Sequence, residues 1–233
     1  MIDREPTANG SPSASRAVKG KSLREQVITS LRWSIFIGDL PPGRQFSVPV
    51  LAEQFGVSPT PVREAVLELA QQGLVVAVAN RGFQVVAPSM DYLLQAMHVR
   101  KLLEIPAMIA IARACSPEQI APVRELAESI MAAAEAGEIR AFVETDYAFH
   151  WQLTSLCGND VLTNLIEEMR SRARVVVIPA ISRQLSLVAI AQEHLDLLTA
   201  ISKHDLPTVE RVTIAHMDRT LDGIRNVMDA PAG

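Results

Sequence analysis

Aromatic residues are scarce, at 4 % of 233 positions, and there are only two cysteines. Cys115 and Cys157 lie far apart and form no CxxC pair, which excludes a disulfide framework and a thiolate zinc site. Both read as small buried apolar groups. Long hydrophobic runs are missing too. Stretches such as Leu74–Ala79 and Val175–Ile178 fall far short of the ~20 residues that a membrane helix needs. Residues 1–15 carry acids and no apolar core, which argues against a secretory signal. The expectation is a cytoplasmic protein with no membrane partner.

Hydrophobic residues reach 48 % and charged residues 21 %, ordinary for a globular chain and incompatible with wholesale disorder. The length suits one large or two modest domains. Abundant Ala, Val, Leu and Ile favour helical packing. The net charge of -4 hides an asymmetry. Residues 1–88 carry 9 Lys+Arg against 7 Asp+Glu, and residues 89–233 carry 13 against 19. The N-terminal third could therefore meet an anion, and the rest would not.

Residues 1–20, rich in Ser, Pro, Ala and Gly, read as a flexible arm. Ser22-Leu23-Arg24-Glu25 has the form of a capping box, and Val27, Ile28, Leu31 and Ile35 follow at helical spacing. Gly38 stops this helix, and Pro41-Pro42-Gly43 makes a stiff turn. A second helix covers Val48–Phe55. After Gly56-Val57, Ser58 can cap a third helix with Pro59 at its first position. Val62, Ala65, Val66, Leu69 and Ala70 form the inner stripe of that helix, and Gly73 closes it. Leu74–Ala79 and Phe83–Val86 flank Asn80-Arg81-Gly82 and read as a β-hairpin. Three helices with a tight turn before the third, then a hairpin, make a winged helix-turn-helix over residues 21–88. Residues 89–229 give no strand signal. Pro117, Gly137, Gly158, Pro179 and Pro207 punctuate five or six amphipathic helices there. The fold class expected is mainly α: the winged domain, then an all-helical bundle.

Five segments occur in order: Gly38-Asp-Leu-Pro-Pro-Gly, Leu51-Ala-Glu-Gln-Phe-Gly-Val-Ser58, Pro61-Val-Arg-Glu-Ala65, Gly73-Leu74 and Asn80-Arg-Gly-Phe83. Together they resemble the GntR family of bacterial transcription regulators. The helical part is similar to the effector domain, often called FCD, of the FadR subfamily. The resemblance implies a DNA-binding homodimer, a repressor in the first instance, controlled by a small metabolite. It departs at Pro59 and Pro49, where relatives commonly place arginine. Loss of bidentate guanine contacts there would alter the operator sequence.

A helix-turn-helix lays its second helix in the major groove of double-stranded DNA, N-terminus toward the base edges. Here that end supplies Ser58, Thr60 and Arg63, with backbone N–H groups able to hold a phosphate. Arg81 and Gly82 at the hairpin tip would approach the minor groove or backbone. Arg44, Arg24 and Arg32 are further candidates for phosphates. The plainer reading of Arg63 is a solvated or glutamate-paired helix residue.

Asp146 and His150 are i,i+4 on one helix, His194 lies on a later helix and His216 on the last. Three helices can converge these side chains inside a bundle. One carboxylate and three imidazoles suit zinc, or nickel, cobalt or manganese. Spacing alone equally fits a solvated helix face. The resemblance implies the metal set, because the FadR-type domain often carries this Asp/His/His/His combination. It also implies that Arg100 faces a small organic acid effector; a salt bridge to Glu104, i,i+4 away, is the competing assignment. Arg170, Arg172 and Arg174 lie nearby, and helical phase singles out none of them. His98, His204 and Asp196 have no such support. An enzyme is not expected, since no activated nucleophile or spare base stands beside the histidines; Glu193 and Glu144 are the candidate acids close in sequence. Two alternatives stay open: a metal-dependent hydrolase fused to a DNA-binding module, and a DNA-binding dimer without an effector.

Overall fold

The computed structural model describes residues 22–79, 82–184 and 186–228. The expected arm at 1–20 and Arg81 at the hairpin tip lie outside the described residues. Helix α1 (Leu23–Phe36) starts on the capping box: Glu25 N donates to Ser22 Oγ, and Ser22 N donates to the Glu25 carboxylate at 2.7 Å. Strand β1 (Gln45–Phe46) leads into α2 (Val48–Gln54), capped by Ser47. Helix α3 (Pro59–Gln71) follows, then β2 (Val75–Val78) and β3 (Gly82–Val85). The strands form one antiparallel sheet in the order β1-β3-β2, with Val75 opposite Val85 and Phe46 opposite Phe83. Leu31, Ile35, Phe36, Val62, Ala65, Leu69, Leu74 and Phe83 are almost fully buried and make one core between the three helices and the sheet. This is a winged helix-turn-helix with a three-stranded wing. Strand β1 was not expected, because two residues give no periodicity; pairing with β3 creates it.

Six helices complete the described chain: α4 (Met90–Ala114), α5 (Pro117–Ala136), α6 (Ile139–Ser155), α7 (Asp160–Gln184), α8 (Leu187–Ser202) and α9 (Leu206–Met228). Helix α5 packs on α6 and α8, α4 on α9, and α7 on α9, α4 and α6, so that α4, α6, α7, α8 and α9 surround a common centre. The expected break at Pro179 is absent, since the α7 backbone continues to Gln184. A proline removes one intrahelical hydrogen bond and the turns on either side can carry the helix past it. Pro106 and Pro122 sit inside α4 and α5 in the same way. Both cysteines are free and half-buried. Helix α1 also lies against α7, which joins the winged part to the bundle.

Candidate metal centre and DNA-contacting surface

The i,i+4 spacing on α6 puts Asp146 Oδ1 3.4 Å from His150 Nε2, and the bundle brings His194 Nε2 to 3.5 Å from the same oxygen. His216 arrives from α9. One ligand atom each from His150, His194 and His216 falls within 4.8 Å of the others. The three histidines therefore cluster, with Asp146 beside two of them, and the solvated-face reading of Asp146 and His150 does not hold. His150 and His194 are buried, the latter at 1 % exposure.

The donor chemistry fits a divalent cation. Both ring nitrogens of His194 are buried without a hydrogen-bond partner, an arrangement that is costly unless something else satisfies them. Burial, with the neighbouring His216 adding, pushes the His194 pKa down to about 3, so the imidazole stays neutral, the form that ligates. Burial also drives His150 well below its ordinary value, with Arg170 adding and Asp146 opposing. Burial alone would raise Asp146, but the adjoining His150, with His194 and Arg174 behind it, holds its carboxyl well below the usual range. His216 Nδ1 lies 2.9 Å from Glu193 Oε2, which fixes the ring and leaves Nε2 for the cluster.

A cavity of about 60 Å³ opens beside these residues, lined by Asp146, His150, His216 and three arginines: Arg100, Arg170 and Arg174. The salt bridge expected of Arg100 is present. Its Nε donates to Glu104 Oε1 at 2.6 Å, and the side chain still lines the cavity. Arg170 donates to the other oxygen of Glu104. These two guanidiniums overcome the burial that would raise Glu104 and bring it down to about 2. Arg174 donates through Nη1 to Glu167, while its Nη2 and Arg170 Nε are buried without partners. Arg172 faces away: it donates to the Gln72 carbonyl at 2.9 Å and pairs with Glu168. Arg170 and Arg174 were not singled out in the sequence. Their i,i+4 spacing, with Glu167 between turns and Ile166, Ala173 and Val176 on the buried side, is the signal that could have found them. His98 is exposed, His204 Nδ1 meets the Ala112 carbonyl at 2.6 Å, and Asp196 accepts from Gln192, so none of these joins the centre.

At the winged end, Ser58, Thr60 and Arg63 are exposed at the start of α3, and Arg44 is exposed with its guanidinium 5.6 Å from the Phe46 ring centre. Ser58 occupies the N-cap position but makes no capping hydrogen bond, contrary to expectation. The third helical residue is Pro61, which has no N–H to offer, so the usual partner is missing. Among the described residues Arg63 has no ion-pair partner, whereas Arg24 is held by Glu68 and Glu64 and Arg32 by Gln72. Arg24 and Arg32 are thus engaged within the protein. Gly82 is half-buried at the start of β3.

Residues 23–85 match the family described as bacterial regulatory proteins, gntR family, and residues 95–219 match the FCD domain. The chain belongs to the FCD-bearing GntR family. It is a DNA-binding transcription regulator of GntR/FCD type. The HTH-type transcriptional repressor RspR of Escherichia coli is 25 % identical over 88 % of this chain and 90 % of its own length. The HTH-type transcriptional regulator McbR of the same species is 29 % identical over 65 % of this chain and 69 % of its own. The solved E. coli McbR/YncC structure shares the GntR/FCD fold with a TM-score of 0.80, at 23 % identity, over 90 % of this chain and all of that one. No helix among the described residues is long and apolar enough to cross a membrane.

Proposed function

We propose that this GntR/FCD regulator is a cytoplasmic, homodimeric, FadR-type repressor that senses a small organic acid at a metal-containing pocket. In this reading residues 21–88 bind operator DNA, and residues 89–229 pair the protomers and hold the effector. The observation that carries it is His194: two buried ring nitrogens, neither hydrogen-bonded, beside Asp146, His150 and His216, next to a cavity with three arginines. Asp146, His150, His194 and His216 would hold the ion, zinc in the first instance, with nickel, cobalt or manganese as the alternatives for a one-carboxylate, three-imidazole set. The bound ion would supply a cationic anchor for a carboxylate. Arg100, Arg170 and Arg174 would orient a second acidic group through charge-assisted hydrogen bonds.

On DNA, the exposed start of α3 would enter the major groove with Ser58, Thr60 and Arg63, while Arg44, Arg81 and Gly82 would approach the backbone or minor groove. Two winged domains spaced by the paired bundles would read a pseudo-palindrome. An effector that changes this spacing weakens DNA binding, and DNA weakens effector binding by the same factor. The acids next to the site favour a sensor over a hydrolase. Glu193 is taken up by His216 and Arg219, and Glu144 by Arg140, which leaves neither as a spare base.

The test is elemental analysis of the purified protein with a thermal-shift series of carboxylic acids, with and without chelator. About one metal per chain, and an acid that stabilises only the metal-loaded form, are the expected results. A metal-free native protein unmoved by any acid would remove the sensing role of the pocket and favour an effector-less DNA-binding dimer. Sedimentation of the full chain checks the dimer.

A further inference from the structure

We propose that Arg174 and Tyr147 are the positioning residues through which the histidine pocket acts on the winged domain. This rests on the reading of that pocket as the effector site. Arg174 belongs to both ends of the molecule. Only 6 % of it is exposed, it lines the cavity, and its Nη2 is buried without a partner. Its Nη1 is held by Glu167, which also accepts from Ser171 Oγ at 2.9 Å. The Cζ of the same guanidinium lies over the Tyr147 ring, 4.7 Å from its centre, and over the Phe36 ring at 5.9 Å. Phe36 is on α1, in the core of the winged domain.

Tyr147 has two connections to the pocket. It follows Asp146 in the chain, so whatever fixes the Asp146 carboxylate fixes the turn of α6 that presents the tyrosine. Its ring also lies under the Arg174 guanidinium carbon. From there its ring meets Trp33 of α1 edge-on at 5.6 Å, and Trp33 meets Phe36 edge-on at 5.8 Å. Helix α1 in turn packs along α3, to which it is tied by Arg24 with Glu68 and Glu64. The chain of contacts from pocket to recognition helix is thus Arg174, Tyr147, Trp33 and Phe36, then α1, then α3.

The unpartnered Nη2 gives an anion in the cavity a group to claim. An acceptor there bonds the same planar fork that Glu167 holds through Nη1, and any turn of the guanidinium toward it alters its contact with Tyr147 and Phe36. A cleft of about 340 Å³, lined by Arg32, Gln72, Tyr147, Trp151 and Glu167, adjoins Tyr147 and Glu167 and gives them room to shift. An anion that binds one arrangement of this joint better than the other biases α1, which is what coupling requires.

The experiment uses the zinc-loaded full chain with citrate, malonate and inorganic phosphate as probe anions and the DNA upstream of its own gene. Anion affinity is measured by calorimetry, and DNA affinity by anisotropy with and without saturating anion. In the unaltered protein the anion is expected to shift DNA affinity within the usual range of roughly 5- to 150-fold. Tyr147→Leu should leave the anion affinity and the anion-free DNA affinity within about threefold while bringing the coupling close to one; Tyr147→Phe, which keeps the ring, should retain it. A second readout needs no DNA. The chain has two tryptophans, so Trp151→Phe isolates Trp33. Its emission should respond to zinc plus anion, and Tyr147→Leu should abolish the response. Unchanged coupling in Tyr147→Leu, or a silent Trp33 when calorimetry shows the anion bound, overturns the proposal. No binding of any probe anion by the unaltered protein overturns instead the pocket reading on which it stands.

Discussion

Glu193 bridges two residues of α9: its Oε2 lies 2.9 Å from His216 Nδ1, and its Oε1 accepts from Arg219 Nε. A carboxylate behind an imidazole sets the ring's tautomer and raises the basicity of the nitrogen that faces the metal. Glu193→Ala is therefore expected to weaken zinc binding by about 10- to 100-fold without removing a ligand. Glu193→Gln should fall between, since it keeps an acceptor and loses the charge. Competition against a chromogenic chelator measures this. Unchanged affinity in Glu193→Ala would leave Glu193 as only a partner of Arg219.

Acid should destabilise the metal-free protein earlier than its carboxylates alone predict. Burial, with His216 adding, holds His194 down to about 3 in the fold, and burial, with Arg170 adding, holds His150 well below its ordinary value. Unfolded, both titrate near the usual ~6.5. Below that pH the unfolded chain binds protons that the folded one refuses, so stability falls. Each histidine contributes up to about 1.4 kcal/mol per pH unit. Asp146 acts in the same direction lower down: its depressed folded pKa gives stability that is present above its unfolded value and lost as pH falls toward the folded one. Urea midpoints of chelator-treated protein should hold from pH 8 to 7 and decline from 6.5 to 5, with a shallower decline in His194→Gln. A flat profile would mean that both imidazoles accept protons inside the fold.

The elements that the sequence announces are those whose cause is local. The Ser22 box, the Gly73 stop and the Asp146/His150 spacing each lie within a turn or two of the residues they organise, and all appear where expected. What it conceals depends on distant partners. Strand β1 exists because Phe46 meets Phe83 across the sheet. Convergence of His194 and His216 on α6 depends on how three helices pack, which spacing leaves open and the family resemblance supplied. Arg170 and Arg174 were hidden because three arginines alternate along α7 and only its neighbours decide which two turn inward. Ser58 makes no cap because the residue three positions on is Pro61, which has no N–H to donate.

Gly82 should tolerate no side chain. Its φ is +102°, and a Cβ there would stand 2.1 Å from the Phe46 carbonyl oxygen and 2.9 Å from Ser47 Cα. The backbone conformation alone costs a non-glycine residue about 1–3 kcal/mol, and the collision with β1 adds to it. Gly82→Ala is expected to lower the melting temperature, by about 2–4 °C per kcal/mol for a chain of this size, and to loosen the wing. Zinc binding by the bundle should survive. Faster amide exchange at Phe46 and Phe83 with an unchanged bundle would localise the damage; an unaltered melting curve would show that β1 can move aside.

Arg63 and Arg24 should part company when each is replaced by alanine. Arg63 is exposed at the start of α3 with no ion-pair partner among the described residues, while Arg24 spans α1 to α3 through Glu68 and Glu64. If the start of α3 enters the groove as proposed, a guanidinium kept free there is available to a guanine edge or a phosphate. Arg63→Ala is therefore expected to weaken operator binding by about 1–3 kcal/mol with an unchanged melting temperature. If Arg63 holds a phosphate, the loss is uniform across sequences and the slope of log affinity against log salt drops by about one; if it reads a base, the loss is confined to one position of the site. Arg24→Ala removes a mostly exposed pair worth at most about 1 kcal/mol and should move stability slightly and the salt slope not at all. Binding isotherms over a salt series on the upstream DNA measure both, and equal salt slopes for Arg63→Ala and the unaltered protein, with no lost base preference, would remove Arg63 from the DNA surface.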